Sequence, residues 1–421
     1  MKIPIYKCIL YLLAVLLLMS GCVQYTPPLP AVAPVTTITV LHGHSTTDLG
    51  LEDMITQKIS SEFPDVRLEW DNISWGDYFS NEMQARIASG DVPDIIIGKA
   101  QDVSSFQASG FLSSFDESFT GYIQQNGLES VTVNGSVYGI PYDMLYQGVL
   151  YNKEIFEAHG LQLPRTTQEL ENVVDRLNDV GITPFAAHFI DNWYAANIKM
   201  QFALNRVFQK YPGWGDEFRA GIHNFSDSEE FIRCFEDVKY VFDNSWDDSM
   251  TVTQRECLRR FSNNEAAMFV TGTWSVQTLH LIHPDMDVGI FPFPDDSGNA
   301  KLIYEPNITF MSNARSENNE LANQIILAII SDMELAASAT AFTQTESLLK
   351  NVNSDSLSMI REDLNDFIVE NRLIDVSEGN TQIAWIFQDM LAKQTNFWLE
   401  GRVELPYVLA FADTNRSFSK W

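Results

Sequence analysis

The chain has 421 residues, 45% of them hydrophobic and 20% charged, which is more than one core usually organises, so two units of roughly 150 to 200 residues each are expected. Lys and Arg number 27 against 56 Asp and Glu, a formal net charge of -29. A field of that sign repels nucleic acid and anionic headgroups and does not steer phosphorylated substrates inward; it suits a neutral or cationic ligand, or simply solubility.

Lys2 and Lys7 precede an almost unbroken apolar run from Ile9 to Met19, followed by Ser20-Gly21-Cys22. This pattern reads as a signal peptide over residues 1–21; a spanning helix would need about 20 apolar residues. Small residues directly before a cysteine resemble a bacterial lipobox, with Met19 where that motif usually has Leu and Leu18 adjacent. The resemblance implies cleavage before Cys22 and acylation of its thiol; an uncleaved membrane anchor is the alternative and gives the same topology. Residues 22–35 carry four prolines, which favour an extended, lipid-anchored tether.

Thr36 to Leu41 is β-branched and apolar, as a buried strand is, and ends in the polar turn His42-Gly43-His44-Ser45. Leu51, Met54, Ile55, Ile59 and Phe63 follow helical spacing until Pro64 stops them, and Val66 to Trp70 resumes as a strand. A helix from Asp77 to Ala88 and a strand from Asp94 to Gly98 repeat the order, and three consecutive isoleucines suit a strand covered on both faces. Such β-α-β succession predicts an α/β fold. In open α/β sheets ligands settle beyond the carboxyl ends of strands, which places His42–Ser45 and Gly98–Asp102 along one candidate cleft. Tyr138 to Asn152 reads as a long extended segment, and further helices are expected at Gln168–Val180, Glu229–Asn244, Leu321–Ser331, Leu335–Thr343 and Gln382–Leu399.

Six stretches in this order, Phe63–Trp70, Gln84–Ile97, Ser109–Leu112, Tyr138–Asn152, Asn264–Trp274 and Gly289–Pro294, resemble the family 1 extracellular solute-binding proteins, the maltose-binding-protein-like receptors of bacterial ABC sugar importers. They lie between residues 63 and 294 of the chain. The resemblance implies an α/β, two-lobe periplasmic-binding-protein-like fold of type II, with the ligand cleft between lobes that close by hinge motion. Lobe 1 would take 36–142 plus 306–340, and lobe 2 would take 143–305 plus 341–421. Crossings are expected near Asp143–Gly148, near Ile303–Asn307 and after Thr343. The implied partners are a sugar, two membrane permease subunits and a cytoplasmic ATPase. The receptor itself would be a monomer held on the extracytoplasmic side of the cell membrane, without a cofactor.

A sugar needs aromatic planes for its C–H faces and carboxylates, amides or Lys for its hydroxyls. By the resemblance, Trp274 stacks on the ligand, with Gly272 allowing a sharp turn, unless it is a core Trp. Asp143 accepts hydroxyls or pins the hinge through backbone donors. Tyr142 and Tyr146 frame the same site or sit half-buried in a strand. Trp193, in the loop Asp191–Tyr194, and Trp385 are further aromatics of the cleft, Trp385 with a core role as the alternative. Lys99, Gln101 and Asp102 stand where the family places polar contacts, and Gly98 replaces a Trp that some members carry. Asn307 could reach the cleft from its crossing. His42 and His44 have no third partner at a telling spacing, so ligand hydrogen bonding or packing is expected for His42 and no metal site.

Of the four cysteines, Cys8 and Cys22 lie in the export segment. Cys234 and Cys257 fit no zinc spacing, and a bridge between them is left open. No GxSxG, Walker loop, HExxH or dinucleotide fingerprint occurs, so no enzyme is expected, although acids in a cleft also describe glycosidases. A peptide or polyamine receptor, or a ligand sensor, is the other alternative.

Overall fold

A computed structural model describes residues 35–44, 49–75 and 77–420. The expected signal peptide, the lipidation site Cys22, all of the tether but Val35, and Ser45 lie outside them. Two mixed sheets organise the rest. The first has the order β2 (Val66–Ser74), β1 (Thr36–His44), β3 (Ile95–Gly98), β12 (Thr309–Ser312) and β6 (Ile140–Pro141). The short hairpin β4–β5 (Thr132–Val133, Ser136–Val137) stands beside it as its own two-stranded sheet. The second runs β14 (Leu373–Asp375), β11 (Leu302–Pro306), β7 (Asp143–Asn152), β9 (Ala266–Gly272) and β8 (Thr183–Ala186).

β3 shows why the first sheet is covered on both faces. Its side chains alternate, so Ile95 and Ile97 enter one apolar cluster with Leu51, Ile55, Ile59 and Ile325, while Ile96 enters another with Phe79, Met83 and Val103. Each buried isoleucine stabilises the lobe by about 1.5–3 kcal/mol. Both helices flanking this strand appear near their expected bounds, at Leu49–Glu62 and Asp77–Ser89.

β7 is the axis of the second sheet, and all ten of its residues are buried. It is long enough to be shared: β11 pairs with Met144–Gln147 and β10 (Val288–Phe291) with Val149–Asn152. β13 (Glu346–Ser347) takes Asp143 and Met144, and β9 takes Gln147–Tyr151. Gly148 has no room for a Cβ, which would fall 2.6 Å from the Phe291 carbonyl oxygen.

One reading changes and one left open is decided. β1 does not end at Leu41; it runs through His44, because His42 pairs in register with Ile97 and its ring is fully buried. Cys234 and Cys257 are both buried and unbridged.

Candidate functional site

The chain passes between the sheets at Tyr142, from β6 into β7, and at Asn307–Ile308, from β11 into β12. Asp143 ties these passages together. Its carbonyl accepts the Asn307 N–H at 2.9 Å, and its Oδ1 accepts the Ile308 N–H at 2.8 Å and Asn307 Nδ2 at 3.3 Å. The carboxylate, 2% exposed, therefore contacts backbone and side-chain donors of the second passage.

Lys99 leaves the end of β3 and reaches toward this junction. Its Nζ donates to Glu305 Oε1 at 3.0 Å and to Asn307 Oδ1 at 2.9 Å, and stands 5.3 Å from the centre of the Trp75 ring. From Glu305 the network enters the second sheet. Gln147 Nε2 donates to Glu305 Oε2 at 2.6 Å, Asn197 Nδ2 to Gln147 Oε1 at 3.0 Å, and Gln201 Nε2 to Asn197 Oδ1 at 2.8 Å. Asp102 accepts the Lys99 N–H at 3.2 Å. Burial pushes its carboxyl up to about 7 although Lys99 opposes the shift, and the Glu305 charge adds to the rise. Gln101 Oε1 accepts from Nδ2 of Asn380, in the helix Ser377–Asn380 that follows β14.

Two indoles adjoin the network. Trp193, early in the helix Asn192–Ala203, and Trp274, the first residue of the helix Trp274–Ile282, are both half-buried, with ring centres 6.4 Å apart at 70°. Asn197 lies one turn beyond Trp193, on the same face of its helix. Gln147 lies opposite Gly272 in the β7–β9 register, and the Trp274 ring folds back over Gly272, where a Cβ would overlap it. Aromatic planes and hydrogen-bonding groups therefore meet in one place, which is the chemistry a polyhydroxylated ligand requires. Behind Trp193 lies His188, its ring centre 5.2 Å away and its Nδ1 3.0 Å from Asp191 Oδ2; burial lowers the pKa of this imidazole.

Of the residues singled out from sequence, Trp274, Trp193, Asp143, Lys99, Asp102 and Asn307 gather at this junction, and Gln101 spans to the second sheet beside it. Trp385 opens the helix Trp385–Leu399 and is half-buried against the second core. Tyr142 is interior: 1% exposed, it packs edge-to-face on Phe310 at 5.6 Å. His42 is interior as well, with Nδ1 2.7 Å from Glu52 Oε1. Both serve packing, because neither ring reaches a surface. Tyr146 is fully buried, its hydroxyl donating to Glu346 Oε2 at 2.9 Å. Among the described residues no three His, Cys, Asp or Glu side chains are grouped to hold a metal.

Five members of the constellation, Gln147, Glu305, Asn197, Gln201 and Trp75, escaped the sequence reading. Gln147 carried a legible signal, an amide within an otherwise apolar strand. Glu305 was seen only as a crossing residue. Asn197 sits on a helix buried almost all round, so it shows no polar stripe. Trp75 follows β2, which extends four residues beyond the expected Trp70.

The family model for bacterial extracellular solute-binding proteins matches residues 44–331. The "Multiple sugar-binding protein" of Streptococcus mutans serotype c is 23% identical over 252 residues, 58% of this chain and 60% of that protein. Alignments with the curated relatives span only 52 to 60% of those relatives' lengths. Among solved structures, the solute-binding protein RafE in complex with raffinose superposes with a TM-score of 0.76 at 16% identity, covering 91% of this chain and 98% of that one. A chitin oligosaccharide binding protein gives 0.76 at 18% identity, covering 91% and 99%. These likenesses establish the two-lobe α/β fold.

Proposed function

The chain belongs to the bacterial extracellular solute-binding proteins, and from that premise we propose that it is the receptor of an ABC importer, binding a mono- or oligosaccharide reversibly and delivering it to membrane permease subunits. One observation carries the reading: the half-buried pair Trp193–Trp274 adjoins the network Lys99–Glu305–Gln147–Asn197 where the chain passes between its sheets. Trp274 and Trp193 stack on the sugar, and Lys99, Asn307 and their neighbours order its hydroxyls. Asp143 holds the passages in register, and Asp102 holds the Lys99 loop. The relatives and structural neighbours named above, among them a sugar-binding protein, a raffinose complex and a chitin oligosaccharide binding protein, support a carbohydrate cargo.

The mature receptor is a monomer without enzymatic activity, anchored through acylated Cys22 outside the cytoplasmic membrane, with lobes at 36–142 plus 306–340 and 143–305 plus 341–421. Contacts on the receptor favour the closed arrangement only by their differential affinity for it. A thermal-shift screen against mono- and oligosaccharides, with peptides and polyamines as controls, tests the reading. A rise in melting temperature with one glycan class, recovered unaltered, is the expected result. Shifts only with the controls, or breakdown of the glycan, would overturn it.

A further inference from the structure

From the first sheet we infer a second stacking platform, Trp75, which rests on the carbohydrate-receptor reading above and narrows its cargo to a neutral glycan whose ring lies on that indole. The argument begins with a repeated device. At the carboxyl end of β9 the Trp274 ring lies over Gly272, and at the carboxyl end of β1 the Trp75 ring lies over Gly43. At both glycines an added Cβ would overlap the six-membered ring. Each indole is pressed on a strand end that lacks a side chain, and each stays half-buried. An indole is large enough that it is rarely buried completely, and the part of each ring left open is the part a ligand can reach.

The surroundings of Trp75 are those of a built platform. Phe79 backs the ring at 5.2 Å, tilted by 57°, which fixes its plane. The Lys99 ammonium stands 5.3 Å from the ring centre while donating to Glu305 and Asn307. The electron-rich ring that attracts this cation also attracts the weakly positive C–H face of a pyranose. Lys99 is thus placed to donate to hydroxyls at the rim of a sugar lying on the ring, and its ties to Glu305 and Asn307 hold it there. Gly98 leaves the end of β3 without a large side chain, so the platform is supplied from the β2 end instead.

The test compares Trp75→Leu, which keeps apolar bulk without a ring face, with Trp75→Phe, which keeps a smaller ring. Calorimetric titration of the full chain uses galactose, raffinose, stachyose and chitin oligosaccharides as probes, with circular dichroism and melting temperature confirming that each variant folds. Trp75→Leu is expected to weaken the tightest-bound glycan at least tenfold, and Trp75→Phe to stay within threefold of the unaltered chain. Gly43→Ala, which displaces the ring without removing it, should weaken binding in the same direction. Affinity within twofold in the folded Leu variant, while Trp274→Ala loses tenfold, would overturn the platform and leave the receptor reading standing. If no probe binds the unaltered chain but peptides or polyamines do, the receptor reading itself fails and the inference with it.

Discussion

Gly272 and Trp274 form one unit: the indole lies across the glycine's Cα, in space that any Cβ would occupy. Gly272→Ala should therefore push the ring out of its present plane. Affinity for the proposed sugar ligand is expected to fall by about 1–3 kcal/mol as the displaced ring loses its contact, and the overpacking itself should lower stability by a similar amount. Trp274→Ala should cost a similar amount through loss of the aromatic contact. Calorimetry of both variants measures this, and unchanged affinity in Trp274→Ala would remove that residue from the site.

Lys99 and Glu305 connect the two sheets with little access to water, their side chains being 16% and 10% exposed. Desolvated, hydrogen-bonded pairs couple more strongly than surface pairs. A double-mutant cycle with Lys99→Met and Glu305→Gln should give a coupling energy of about 1–3 kcal/mol in denaturant unfolding. A value near zero would mean that Lys99 is held by Asn307 and Trp75 alone.

Asp102 titrates at about 7 in the folded protein against 3.8 for an ordinary aspartate, chiefly because it is buried. Between these values the folded state binds the proton more tightly than the unfolded state. Its contribution to stability is therefore complete below about 3.8 and is lost as pH rises through 7. Asp102→Asn keeps an acceptor for the Lys99 amide and removes the titration. The variant should match the unaltered protein near pH 4 and exceed it at pH 8, by on the order of 2 kcal/mol or more. Equal pH profiles would contradict this assignment.

Lys199 lies 4% exposed in the second core, its Nζ over the Phe235 ring at 5.1 Å and without a hydrogen-bond partner among the described residues. Burial lowers its pKa from 10.5 to about 7. Between those values the unfolded state binds more protons, so stability should rise with pH across that window. Lys199→Met is expected to stabilise the protein at pH 6 by roughly 1–4 kcal/mol, with the gain shrinking toward pH 10. Melting temperatures at the two pH values decide it.

The sequence by itself determined the α/β class, the order of the first strands and helices, and the family. Those features are written in local periodicity: alternating and consecutive isoleucines in β3, helical spacing at Leu51–Phe63, and collinear stretches such as Tyr138–Asn152. Trp274 and Trp193 were also legible, because each sits within a stretch that resembles the family's.

Only the tertiary structure decided which polar groups converge. Lys99 and Glu305 are 206 residues apart, and no local pattern encodes a meeting at that separation. His42 could equally have lined a turn, but pairing with Ile97 drew it into β1 and buried it. Trp75 became visible as a partner of Gly43 only when β1 and β2 lay side by side, since a missing Cβ acquires meaning from the ring that fills its space.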